Sequence, residues 1–315
     1  MKILFYGTAD ISARVLKNLF DTKKHEIEVV TSCDKPRDRG MKVKACEVKK
    51  LAEILGLNIY QTESVKAEVF YEALKEKEYD LGVVVAFSQL LSRKIIDLPK
   101  EGTINLHFSM LPKYRGAAPC NWVLINGEKI TGVTIMYVKK ELDEGDIILQ
   151  KEVKIETSDD AGSLLEKLIK EGGELLVRAI DDIGAKKTER KEQKKEEATY
   201  FGKLPDDIGN IDWEKSAVAI HNLVRGLAPL LSAYSKLNGR LIKILKTEQV
   251  NVNEKGRPGE IVKAEKGKGL VVATGNGALL VKSVKPEGKK EMNFEDYARG
   301  NKINIGARFE RGRGK

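Results

Sequence analysis

The chain has 315 residues, 41% hydrophobic and 33% charged, with a formal net charge of +9. Such a composition belongs to an ordinary globular protein long enough for two domains, and no apolar run approaches the roughly eighteen residues a membrane helix needs. Cys33, Cys46 and Cys120 are odd in number, widely spaced and without CxxC pairing, which argues against a disulfide framework or a cysteine zinc site and for a reducing, cytoplasmic setting. The opening residues MKILFYGTAD lack the apolar core and cleavage site of a signal peptide. Charge is unevenly spread. From Asp206 onward 21 Lys+Arg face 13 Asp+Glu, so the C-terminal third carries nearly all of the excess. That pattern points to a polyanionic partner held there, or to a lysine-rich surface kept soluble.

In chain order, ILFYG reads as a strand ending at Gly7, followed by a helix over 11–20 with Asp10 as its N-cap. IEVVTS is a second strand. A polar loop leads to CEVKKLAEILG, a helix stopped by Gly56. NIYQ, a helix over roughly Lys66 to Lys77 and the unbroken apolar run LGVVVAF come next. A run without alternation is what a strand covered on both faces looks like, and strand–helix alternation at this spacing implies a Rossmann-like, mostly parallel sheet. INLH, GVTIMYV and DIILQKEVKI add strands, and SLLEKLIKEGGELLVRAIDDI has the helical period. These elements set a first domain at 1–185. KKTERKEQKKEEA has no apolar stripe and reads as a solvated, charged linker over 186–205. From 206 to 315, a helix over IDWEKSAVAIHNLVRGL precedes five short strands between glycine-rich turns, from SAYSKL to ALLVKSV. The fold class is therefore α/β, a Rossmann-like domain followed by a small antiparallel β-barrel, OB-like and basic, of the sort that binds nucleic acid.

Several chemistries find no support. YGTAD is not GxGxxG, and GxxxxGK[ST], HExxH and GxSxG are absent. With histidine only at 25, 107 and 221, no metal site is expected. Cys120 reads as a small core residue. What stands out is INLHFSMLP, in which Asn105 and His107 are two apart and share one face of a strand that ends before Pro112. In an open parallel sheet the carboxyl ends of strands border the ligand crevice. Asp143 sits in an LDEG turn between two later strands, where Gly145 permits a positive φ, and it can fold over the same crevice. An amide donor, an imidazole and a carboxylate suit acyl transfer to an amine. Asn105 and a cationic His107 can stabilise the oxyanion, and Asp143 can favour the imidazolium and help move a proton from the amine.

These residues also carry a resemblance. NLHFSMLPKYRGAAP followed by TGVTIMYVKKELDEGDI resembles the folate-dependent formyltransferases, within them the branch that acts on methionyl-tRNA. FYGTAD, DKPRDRG, VVVAFSQLL, IDW, NLVRGLAP and GKKEMNFEDYARG extend the likeness over nearly the whole chain, and RGAAP with the C-terminal pattern is its most specific part.

The resemblance implies transfer of the formyl group of 10-formyltetrahydrofolate, a co-substrate, to the α-amino group of methionyl-initiator tRNA, without a metal and with no protein partner or membrane. Asn105, His107 and Asp143 fall on the family's catalytic positions. Ser109, Met110, Leu111 and Pro112 fall on its folate-associated motif, and Phe87, Gln89 and Leu91 on the stretch that receives the pterin. Lys35, Arg37, Arg39, Lys42 and Lys44 belong to the loop that grips the tRNA acceptor end, with Arg39 on its key arginine. GTADI, SMLP, AFS, CEVK and APLLSAY depart from the usual family wording but spare the trio. An amino sugar nucleotide or another small amine is the alternative acceptor. It would not require a basic C-terminal barrel.

Overall fold

The structure is a computed structural model that describes residues 1–37, 42–252 and 255–310, with the backbone alone at 35–37, 42 and 43. It divides into two compact units. The first comprises Met1–Gly116, Ile130–Lys154 and Glu166–Phe201, and the second Ala117–Lys129, Ile155–Leu165 and Gly202 onward.

The N-terminal elements are β1 (Lys2–Gly7), α1 (Asp10–Asp21), β2 (Glu26–Ser32), the short pair β3 (Lys35–Arg37) and β4 (Lys42–Lys44), α2 (Glu47–Ile54), β5 (Asn58–Thr62), α3 (Glu68–Lys75), β6 (Leu81–Val85), α4 (Arg93–Ile96) and β7 (Thr103–His107). Then follow β8 (Arg115–Gly116), α5 (Pro119–Ile125), β9 (Ile130–Tyr137), β10 (Ile147–Lys154), α6 (Ala161–Gly184) and β11 (Tyr200–Phe201). Seven strands form the main sheet in the order β10-β9-β7-β6-β1-β2-β5. From β7 to β5 every pairing is parallel, while β9 and β10 run antiparallel at one side. The strand order turns back on itself beside β1, and the chain leaves β1, β6 and β7 at the same edge. This is the crevice edge of a doubly wound sheet.

Burial explains the order. β1 and β6 are central, and Ile3, Leu4, Phe5, Leu81 and Val83 have no exposed surface, each side chain contributing about 1.5–3 kcal/mol through burial. α6 lies across β7 and β9 closely enough that a Cβ at Gly172 would touch Leu106 and Val133. α1 begins one residue earlier than the sequence suggests. Asp10 is its first helical residue and Ala9 holds the extended cap position, so Asp10 acts on the helix dipole rather than as a side-chain cap.

The second unit holds α7 (Ala217–Leu227), β12 (Ala233–Leu237), β13 (Arg240–Val250), β14 (Ile261–Glu265), β15 (Gly269–Ala273), β16 (Ala278–Pro286), β17 (Met292–Asn293), α8 (Phe294–Gly300) and β18 (Phe309–Glu310). Its sheet is antiparallel, in the order β14-β15-β16-β13-β12-β18, with β17 on β16. The ends are drawn together: Phe309 N–H donates to Gly259 O and Gly306 N–H to Ile261 O, both at 2.8 Å. The sheet thus curls into the small barrel expected, around Ile242, Val272, Leu279, Val281 and Phe294. The α7 helix is shorter than its sequence pattern suggests. Ser216 caps it by accepting from Ala219 N–H, while Ile211 and Trp213 precede it and pack into the barrel core. Trp213 stacks on Phe309 and its Nε1–H donates to Ser235 Oγ at 3.0 Å. No helix among the described residues is long and apolar enough to cross a membrane.

Candidate active site

His107 is the last residue of β7, beside β6 and β9, and Asn105 precedes it by two on the same face. Asn105 is half-buried and His107 buried. Tyr114 anchors the imidazole: its carbonyl lies 3.0 Å from Nε2. A carbonyl can only accept, so Nε2 carries a proton and donates. Nδ1 is then the nitrogen left to gain or lose one, and it faces Asp143 Oδ1 at 3.7 Å. That separation is longer than a hydrogen bond. His107 and Asp143 are 6% and 8% exposed, so the pair is shielded from water.

The segment from Phe108 to Gly116 is tied down by its own neighbours. Thr134, opposite His107 on β9, accepts from Leu111 N–H and donates to Ser109 O at 2.7 Å. Gln150 Nε2 donates to Leu111 O at 2.8 Å, and Ser109 Oγ donates to Lys113 O at 2.8 Å. Ser109 and Leu111 are therefore buried and internally bonded, while Met110 and Pro112 are half-buried. Their polar atoms shape the loop.

Asp143 is held from the other side. Gly116 N–H donates to its Oδ2 at 2.8 Å. The sequence assigns the positive φ of this turn to Gly145, but the structure puts it at Asp143 itself, with φ 56°. Gly145 is required for space, since a Cβ there would overlap the Tyr137 carbonyl. Gly116 meets both constraints, with φ 103° and a Cβ position 2.3 Å from Phe201 O.

The charged stretch after α6 contributes here, which its composition does not reveal. Lys191 and Ile147 exchange backbone hydrogen bonds, Arg115 N–H donates to Thr199 O, and β11 pairs in parallel with β8. Gln193 is buried against the aspartate loop. Arg115, only 1% exposed, has Glu144 as counter-ion at 2.9 Å and Tyr200 as a further acceptor. The Tyr200 hydroxyl, and then the Arg115 charge, hold the Glu144 carboxyl below its usual range. The only local sign of Gln193 in the sequence is an uncharged polar residue inside a charge run.

Residues 86–92 form an irregular loop beyond β6, with Ala86 at φ 42°. Phe87 packs edge-on against Tyr6, centroids 5.7 Å apart, and Leu91 joins the same apolar cluster. Among the described residues, the peptide groups of 87–91 take part in no backbone–backbone hydrogen bond. Gln89 pins the loop through Val65 N–H and Thr62 O. In the basic loop, β3 and β4 pair with Lys35 opposite Lys44 and Arg37 opposite Lys42. Lys44 is exposed, and Arg39 lies outside the described residues. No group of three or more potential metal-ligating side chains occurs among the described residues.

Comparison with known proteins decides the family. Residues 1–180 match the formyl transferase family profile and 203–302 its C-terminal domain. A methionyl-tRNA formyltransferase from Thermodesulfovibrio yellowstonii is 44% identical over 304 residues, 96% of this chain and 97% of that one. The chain belongs to the methionyl-tRNA formyltransferase family. A second member, from Fusobacterium nucleatum, is 41% identical over 98% of this chain and 100% of its own length. Among solved structures, the sugar 3N-formyl transferase WlaRD matches with a TM-score of 0.67 at 23% identity, covering 92% of this chain and 99% of that chain. HypX from Aquifex aeolicus matches at 0.65 and 17%, covering 95% of this chain and 47% of that chain. At those identities the likeness is one of fold.

Proposed function

We propose that this chain moves the formyl group of 10-formyltetrahydrofolate onto the α-amino group of methionyl-initiator tRNA, with Asn105, His107 and Asp143 as the catalytic residues. The observation that carries the reading is the buried His107–Asp143 pair at the crevice edge of a chain about 40% identical, end to end, to methionyl-tRNA formyltransferases. As the amine attacks the formyl carbon, negative charge gathers on the carbonyl oxygen. Asn105 donates to that oxygen, a contribution of about 2.7–4 kcal/mol for one such donor. His107, with Nε2–H fixed on Tyr114 O, adds positive charge when Nδ1 is protonated toward Asp143. The bond from the formyl carbon to the donor nitrogen breaks. The Asp143 carboxylate takes up the proton the amine loses, and one is returned to the departing nitrogen.

The 86–92 loop fits the pterin: its unpaired peptide groups supply donors and acceptors beside the apolar Phe87 and Leu91. Ser109 to Pro112 would act through loop shape, given their internal bonds. Lys35, Arg37, Arg39, Lys42 and Lys44 would hold the acceptor end, and the basic 206–315 segment the rest of the tRNA, in the cytoplasm where tRNA is charged. The test is a competition. The protein is given the formyl donor with methionyl-tRNA, an amino sugar nucleotide and glycinamide ribonucleotide together. Formylated methionyl-tRNA as the main product supports the reading, and a formylated small amine in its place refutes it.

A further inference from the structure

From these contacts we infer that Gln193 and Arg115 are positioning residues, which hold Asp143 in its strained turn so that it faces His107. The inference rests on the catalytic reading above and extends it to the charged stretch after α6. The Gln193 carboxamide is 5% exposed and uses both ends. Its Nε2 donates to Asp143 O and to Gly145 O, each at 2.8 Å, so one amide clamps the turn on both sides of Glu144. Its Oε1 accepts from Arg115 Nε at 3.0 Å and Nη2 at 2.8 Å. Arg115 Nη1 in turn reaches Glu144 Oε1 at 2.9 Å and the Tyr200 hydroxyl, which itself donates to Glu144 at 2.6 Å.

A non-glycine residue at φ 56° is disfavoured by roughly 1–3 kcal/mol and persists only where its surroundings over-determine it. Here the surroundings are identifiable. Gly116 N–H fixes the Asp143 carboxylate, and Gln193 fixes its main chain. Only the second clamp comes from outside the two loops that carry the site. Arg115 keeps Gln193 from turning, since its two N–H groups require the amide oxygen on their side. A buried guanidinium is costly unless its donors are matched, and Gln193, Glu144 and Tyr200 match four of its five N–H groups. Removing the Gln193 amide leaves two carbonyls and part of a guanidinium without partners, and the turn carrying Asp143 relaxes.

The experiment measures formyl transfer to methionyl-tRNA by the full chain, its Asp143→Asn variant, Gln193→Met and Gln193→Glu, with rates normalised to the cooperatively folded fraction. Gln193→Met keeps length and loses both hydrogen-bonding ends. Its kcat is expected to fall about 20-fold or more, with KM for either substrate within about twofold. Gln193→Glu keeps the acceptor toward Arg115 but turns a carboxylate oxygen onto two carbonyls. The charged and titratable groups around it are Arg115, Glu144, Asp143 and Tyr200. Its rate relative to the unmodified chain is expected to rise as pH falls, because a protonated carboxyl again offers a donor. A kcat for Gln193→Met within twofold of normal, a loss confined to KM or to the folded fraction, or a flat pH ratio for Gln193→Glu would each overturn the inference. With the unmodified chain active and Asp143→Asn inactive, such results reject the positioning role and leave the catalytic reading intact. If the unmodified chain forms no formylmethionyl-tRNA, both fall.

Discussion

His107 Nε2 lies 3.0 Å from the Tyr114 carbonyl while Nδ1 faces Asp143 Oδ1 at 3.7 Å, so the two ring nitrogens have different duties. The neutral ring is expected as the Nε2–H tautomer, because only a proton there can meet a carbonyl. Nitrogen chemical shifts of labelled histidine read this directly. A dominant Nδ1–H form would mean that the Tyr114 contact does not anchor the ring.

Gly116 tests whether the Arg115 box must approach β11 this closely. A Cβ there would sit 2.3 Å from Phe201 O at φ 103°. Gly116→Ala is expected to lower stability by about 2 kcal/mol or more, through strain and the lost β8–β11 pair. It should also loosen the N–H that holds Asp143. Urea unfolding measures the first effect and kcat the second.

Glu144 has a carboxyl held below its ordinary range by Tyr200 and then Arg115. A carboxyl depressed in the folded state stabilises above its unfolded pKa, about 4.5, and that contribution is lost as pH falls through the lower folded value. The stability difference between the unmodified chain and Glu144→Gln should therefore be present at neutral pH and shrink as acid is added. Denaturant unfolding at several pH values shows this. A difference that does not change with pH would mean the ion pair contributes nothing.

Cys120 is buried, with its thiol 3.6 Å from Ala161 O and pushed up to about 12 by burial. It should react with iodoacetamide far more slowly than the half-buried Cys33 at neutral pH. Peptide mapping after timed alkylation distinguishes them. Equal rates would show that the wall around Cys120 opens readily.

Much of this architecture is legible in the residues, for local reasons. LGVVVAF has no alternation, and β6 lies between two parallel neighbours with residues on both of its faces buried. Asn105 and His107 share a face because a strand repeats every two residues. The LDEG turn announces a loop, although its positive φ falls on Asp143 rather than on Gly145. Where local pattern was followed too far, the chain differs: IDW extends a helical periodicity that begins only at Ala217, because Trp213 packs into the barrel. Gln193 carried no local signal beyond being uncharged inside a charge run. It meets Asp143 from 50 positions away in the chain, and a charge run gives no hint of which member turns inward.

The most direct measurement is single-turnover formyl transfer by Asp143→Asn beside its affinity for methionyl-tRNA. Asparagine can still accept from Gly116 N–H, so the loop stays in place while the charge facing His107 is lost. The transfer rate is expected to fall about 100-fold or more with tRNA binding unchanged. A rate within a few-fold of the unmodified chain would contradict the His107–Asp143 chemistry.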